Sequence, residues 1–236
     1  MRARVMACLS LISLVSLSTS SGCHMRIGEP EDKDELMRPD AVVSFDRLYK
    51  QNCSACHGEN GSGGPAFDLS NPNYQVFVDD ASLKHWITSG MPGTQMPAFG
   101  ESAGGFLTPV QIDALVSGMR TRWAPKNSKN IAIPSYLVSS EGNANQGESI
   151  FRTSCVSCHR QDKQKVTDAG YLALVCDQSL RTVVIAGRPD LGHPDWEHVR
   201  PGQPLADQDV SDIVAYLHSL RSETPGQPYP DESLKR

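Results

Sequence analysis

Apolar positions recur at helical spacing in several short stretches of the chain. Phe45, Leu48 and Tyr49 form one such face, and Ile112, Leu115, Val116 and Met119 form a second. Val210, Ile213, Val214, Leu217 and Leu220 form a third. Steps of three and four residues put these side chains on one side of an amphipathic helix. Leu107-Thr108-Pro109 opens the second helix, with Thr108 as N-cap and Pro109 in the first turn. Leu205-Ala206-Asp207 stands in the same place before the third, where Ala206 is a poor cap. Two shorter helices start at Asp80 and Asp177, each read as an N-cap, and stop at Gly90 and Gly187, each suited to a left-handed C-cap.

These elements occur twice, in the same order. Phe45, Leu48 and Tyr49 align with Gly147, Ile150 and Phe151, and Asp80-Ala81-Ser82-Leu83 aligns with Asp177-Gln178-Ser179-Leu180. A repeat in 236 residues fits two small domains.

Composition narrows the class. With 39% hydrophobic and 21% charged residues, 19 Gly and 16 Pro, the chain is neither disordered nor collagen-like. A net charge of −5 offers no basic face, so no nucleic acid partner is expected. Beyond the N-terminus no run of eighteen apolar residues suggests a membrane span. At the N-terminus, Arg2 and Arg4 precede the apolar stretch from Val5 to Leu17, then Ser20-Ser21-Gly22 and Cys23. This resembles a bacterial lipoprotein signal: residues 1–22 would be removed, Cys23 acylated, and residues 23–40 left as a tether. Plain secretion and an uncleaved anchor are the competing readings. Losing Arg2 and Arg4 takes the net charge from −5 to −7. The expected location is periplasmic, or lipid-anchored on the outer face of the cell membrane.

Two motifs carry the chemistry. Cys53-Ser54-Ala55-Cys56-His57 and Cys155-Val156-Ser157-Cys158-His159 share the Cys-x-x-Cys-His pattern of covalent haem attachment. Two intervening residues bring both sulfurs, as thioethers, to one edge of the macrocycle, and the next side chain turns under the iron as a ligand. A thioredoxin-like pair would follow a strand, and half a zinc site needs a second half. Here each motif follows helix-like sequence in an exported chain, which favours haem.

With a helix, a haem motif, a loop, a short helix, a ligand loop and a last helix in each half, the chain resembles a tandem of class I cytochrome c domains. It is similar to dihaem subunits of respiratory oxidases and to cytochromes accompanying quinol-oxidising complexes. The resemblance implies an all-α fold of short helices around two covalently bound haem c groups. The domains would be residues 41–124 and 144–222, with 125–143 as linker and 223–236 as tail.

Class I cytochromes supply a distal Met from the ligand loop, which here reads Gly90-Met91-Pro92-Gly93-Thr94-Gln95-Met96-Pro97. Met96, followed by Pro, is the candidate, Met91 is its local competitor, and Met119 belongs to the core. The second loop reads Gly187-Arg188-Pro189-Asp190-Leu191-Gly192-His193-Pro194, and its half contains no Met. Six residues after each Gly stand Met96 and His193. His193 is therefore the expected second ligand, with His198 or an open iron as alternatives. His218 reads as structural, and His24 and His85 as surface residues. The resemblance also implies that a Pro65 carbonyl holds the His57 ring. Gly61 to Gly64 is otherwise a flexible loop, and Cys176 a buried small side chain.

Met/His ligation raises a reduction potential relative to His/His. Electrons are therefore expected to run from the second haem to the first. Filled irons suit an electron carrier with no catalytic residues. Its partners would be a quinol-oxidising complex, a terminal oxidase or a soluble carrier, and its acidic surface would favour a basic docking face. A dihaem peroxidase-like enzyme, or a haem sensor with an open second iron, is the alternative.

Overall fold

The computed structural model describes residues 37–126, 133–159 and 166–222. The signal, Cys23, the tether as far as residue 36 and the tail lie outside the described residues. Among the described residues the regular structure is helical, with two isolated backbone bridges and no strand. The first half contains α1 (Phe45–Asn52), α2 (Ser54–His57), α3 (Pro72–Phe77), α4 (Asp80–Ser89) and α5 (Pro109–Trp123). The second contains α6 (Ala144–Ser154), α7 (Ala169–Leu172), α8 (Asp177–Ala186) and α9 (Asp207–Ser219).

Helix starts follow from local side-chain chemistry. Thr108 Oγ1 accepts from the Gln111 N–H at 3.3 Å, and Gln111 Oε1 accepts from the Thr108 N–H at 3.0 Å, a reciprocal capping box. α9 has half of one: Asp209 accepts from the Ala206 N–H at 3.1 Å, and Ala206 has no oxygen to return. Leu220 falls just beyond α9, as its C-cap. The caps of α4 and α8 sit one residue before the expected Asp80 and Asp177. Asp79 and Cys176 take nearly the same extended backbone there, φ −88° and −85° with ψ 163° and 162°. Asp79 Oδ1 accepts from the Ser82 N–H at 2.7 Å, whereas Cys176 makes no such bond. Asp177 instead pairs with Arg221 and His218.

Both short helices stop on glycine with φ 71°, but ψ is 179° at Gly90 and 178° at Gly187. This is not the left-handed helical cap that was expected. It is a backbone region essentially closed to residues with a Cβ.

In each half the first and last long helices cross at a glycine. A Cβ on Gly118 of α5 would lie 2.2 Å from the Phe45 ring of α1. In the second half the glycine is on the other helix: a Cβ on Gly147 of α6 would lie 1.9 Å from the Asp212 carbonyl oxygen of α9. Phe45 corresponds to Gly147 and Gly118 to Tyr216, so the small and aromatic partners are exchanged between the repeats.

Each half has a buried apolar cluster, and the two meet. Ala186, from α8, and Tyr136, from the connecting segment, belong to the first cluster, and Phe77 packs on both. Residues 133–143, read from sequence as linker, are stitched to the second half. Ser135 N–H and Ser139 Oγ donate to Asp207, and Gln178 Nε2 donates to the Tyr136 carbonyl at 2.9 Å. Among the described residues three further bonds join the halves. Asn71 Nδ2 donates to the Ala186 carbonyl at 3.0 Å, Asn73 Nδ2 to Asp195 at 2.9 Å, and Ser179 Oγ to Met91 Sδ at 3.1 Å.

Candidate functional site

Both Cys-x-x-Cys-His motifs fold the same way. Cys53 N–H donates to the Tyr49 carbonyl and Cys155 N–H to the Phe151 carbonyl, both at 2.8 Å, so each first cysteine ends the incoming helix. His57 and His159 N–H then return to the carbonyls of Cys53 and Cys155, both at 2.9 Å. One turn of backbone thus carries two thiols and an imidazole. Among the described residues Cys53, Cys56, Cys155 and Cys158 form no disulfide. Burial pushes Cys53 up to about 12 and Cys155 up to about 11, and the second cysteine of each motif adds to this. A thioredoxin-type lead cysteine needs the opposite shift. Among the described residues no three His, Cys, Asp or Glu side chains converge as a metal-ion cage.

His57 Nδ1 lies 2.7 Å from the Phe67 carbonyl. With Nδ1–H as donor, the lone pair is left on Nε2 for a metal. The acceptor is therefore Phe67 and not Pro65. The Ala66 N–H bonds the Cys56 carbonyl at 2.9 Å and the Ser70 N–H bonds the Gly61 carbonyl at 3.1 Å. These bonds turn the loop so that Phe67 faces the ring and give the segment after the motif a fixed shape. Burial holds His57 below the ordinary histidine range, against the Phe67 bond that raises it.

The two ligand loops share a scaffold. Met91 N–H donates to the Met96 carbonyl at 3.1 Å, and Arg188 N–H to the His193 carbonyl at 3.0 Å. Phe99 N–H returns to Ile87 at 3.0 Å and Trp196 N–H to Ile185 at 3.1 Å. A Cβ on Gly90 would lie 2.8 Å from the Met96 oxygen, and one on Gly187 2.9 Å from the His193 oxygen. Met96 and His193 therefore occupy equivalent places. Met96 packs on the same cluster as Cys53 and Phe67.

In the second half the structure brings His159 and His193 together, with ring centres 5.8 Å apart and planes at 50°. Two imidazoles each about 2 Å from a shared metal have centres about 6 Å apart. His193 Nδ1 is buried with no hydrogen-bond partner, and burial, then the His159 ring, hold His193 below its ordinary range. A neutral imidazole with unmet bonding is what a metal requires, so the residues present fit an iron between them.

The competitors are otherwise engaged. Met91 Sδ accepts from Ser179, Met119 is buried in the core, and His198 is 69% exposed and bonded to Asp195 at 2.6 Å. His218 pairs with Asp177, and His85 lies against Trp86. Cys176 is half-buried beside Ser179, less enclosed than expected. Sequence reasoning missed Asn71 and Arg188. Asn71-Pro72 reads as a turn, and Arg188 takes the place that Met91 holds in the first loop.

The model of the cbb3-type cytochrome c oxidase subunit III family matches residues 40–117, and that of the cytochrome c family matches residues 144–221. Among curated proteins the chain is similar to the cbb3-type cytochrome c oxidase subunit FixPc of Rhizobium leguminosarum bv. viciae, 25% identical over 82% of this chain and 66% of that one. It is also similar to subunit CcoP of Azospirillum sp. (strain B510), 26% identical over 80% of this chain and 65% of that one. The chain thus spans about two thirds of the length of these relatives. Of solved structures, the Kuenenia stuttgartiensis reducing HAO-like protein complex Kustc0457/Kustc0458 matches with a TM-score of 0.44 at 17% identity, covering 79% of this chain and all of that one. Family models over both halves, and relatives spanning both, lead to one conclusion: this chain carries two cytochrome c domains in tandem, each of the kind that binds one covalent haem c.

Proposed function

We propose that the chain is an exported electron carrier whose two irons are both six-coordinate, the first through His57 and Met96 and the second through His159 and His193. Cys53 and Cys56 would hold one macrocycle, and Cys155 and Cys158 the other. Bound haem supplies one-electron chemistry, and the protein's part is attachment, ligation and electrostatics. The opposed rings of His159 and His193, 5.8 Å apart, carry the reading. They would hold the second iron as its two imidazole ligands and leave no position for a substrate. Met96, on the equivalent scaffold, would do the same in the first. Its thioether would raise the first potential above the second, so electrons would run toward the N-terminal half. The relatives are named as oxidase subunits, so a terminal oxidase is the partner we assign downstream. Cys23 would anchor the chain to the membrane by acylation.

The test is spectroscopic. Oxidised holoprotein is expected to show a thioether-to-iron charge-transfer band with the intensity of one centre, and Met96→Ala should abolish it. The reduced parent protein is expected not to bind carbon monoxide, and His193→Ala should make its second centre do so. A band worth two centres, a band that survives Met96→Ala, or carbon monoxide binding by the parent would each overturn the assignment.

A further inference from the structure

We propose that Asn71 is the positioning residue that locks the ligand loop of the second iron onto the proximal loop of the first, and so sets the rate at which electrons pass between the halves. This rests on the ligand assignment above.

Asn71 is 3% exposed at the N-terminus of α3. Its Oδ1 caps that helix, accepting from the Tyr74 N–H at 3.1 Å, while Nδ2 donates to the Ala186 carbonyl at 3.0 Å. Its own N–H donates to the Asp68 carbonyl at 3.2 Å. These bonds complete a series between the two ligand frames. His57 Nδ1–H bonds the Phe67 carbonyl at 2.7 Å, and Phe67 is joined covalently to Asp68. Asp68 bonds Asn71, Asn71 bonds Ala186, and Ala186 leads through Gly187 to Arg188. Arg188 and His193 then exchange two backbone bonds, at 3.0 and 2.9 Å.

Asn71 is the link in this series that crosses between the halves. The other two crossing bonds, from Asn73 to Asp195 and from Ser179 to Met91, end on side chains. The Asn71 bond ends on main chain, at the root of the ligand loop. Electronic coupling falls steeply with separation and with every through-space gap, so a fixed, bonded contact between ligand frames bears directly on the rate. A buried amide does not give up its acceptor cheaply, because the orphaned N–H would have no water to turn to.

The experiment uses the holoprotein with Asn71→Ser. Serine keeps an oxygen for the α3 cap but cannot reach Ala186. Photochemical injection of one electron should show a several-fold slower intramolecular transfer. Both haem spectra and both midpoint potentials should be unchanged, and amide hydrogen exchange at Arg188 and His193 should be faster. Asn73→Ala, which removes the neighbouring bond, should leave the rate as it was. An unchanged rate in Asn71→Ser overturns the proposal, and so does an equal fall in Asn73→Ala, which would mean that any loosening of the interface suffices. Parent spectra without one Met/His and one His/His centre would instead remove the ligand assignment, and this inference with it.

Discussion

Among the described residues Arg181 is the largest fully buried side chain. Its side chain is 0% exposed on α8, a helix face on which a charge would otherwise have no place. Nε donates to the Ser135 carbonyl at 2.9 Å, Nη1 to Ser211 Oγ at 3.1 Å, and Nη2 to the Asp207 carboxylate. Such a charge is tolerable only while its partner stays ionised. Burial alone would raise the Asp207 carboxyl, but the Ser139 hydroxyl, the Arg181 charge and the Ser135 N–H outweigh it and hold the group below the usual carboxylate range. Since the folded group titrates lower than the unfolded one, the unfolded chain binds more protons between the two values, and stability rises with pH there. The contribution is complete above about pH 4, the unfolded carboxylate value, and is lost as pH falls through the folded one. Asp207→Asn should therefore cost about 2 kcal/mol near neutral pH, the scale of a lost hydrogen bond to a charged group, because Arg181 is buried but Asp207 is 29% exposed. It should also flatten the acid limb of the stability profile measured by denaturant titration.

Helices in this protein are placed by contacts as much as by propensity, and the crossing of α6 with α9 shows this most directly. Gly147 lets the α9 backbone come so close that any side chain would meet the Asp212 carbonyl. Gly147→Val should destabilise the second half by about 3 kcal/mol, the upper part of the range for overpacking a tight contact. It should do so without removing any haem-binding residue, a result readable from thermal melts followed at each centre. The repeat was legible in the sequence because helix faces, the glycine before each ligand loop and Cys-x-x-Cys-His survive in both copies. Thr108 caps α5 as Thr-Pro suggested, and Gln111 completes a capping box that was not foreseen. Less legible was anything decided by backbone dihedrals or by contacts between the halves. The caps at Asp79 and Cys176 precede the acidic residues that a cap rule selects, because the extended residue falls one position earlier. The alignment pairs Phe45 with Gly147 by position, but the exchange of glycine and aromatic residue at the helix crossings shows only in the contacts. The Phe67 acceptor depended on how the loop after the first motif folds back on Cys56, and spacing does not encode that.

At the scale of the whole molecule, the halves share a boundary core and are not merely strung together. Tyr136, in the segment between them, is 4% exposed and belongs to the cluster of the first half. Its ring centre lies 5.7 Å from that of Phe77 and 6.3 Å from that of Tyr74, and burial pushes its hydroxyl up to about 12. The same segment is bonded through Ser135 to Asp207 and through the Tyr136 carbonyl to Gln178, both in the second half. Unfolding either half therefore strips apolar cover or hydrogen bonds from the other. A linker that only joined two independent domains would leave two separable transitions. Here the colour of both centres should be lost together in a single denaturant transition, the behaviour of one cooperative unit. Tyr136→Ala should remove about 3 kcal/mol by opening a cavity in an aromatic cluster, and should lower the midpoint for both centres. If the Met96-dependent band of the first half kept its midpoint while only the second half shifted, the contact would be packing without energetic coupling. A fixed relation between the two ligand frames, on which the role of Asn71 depends, would then lack its support.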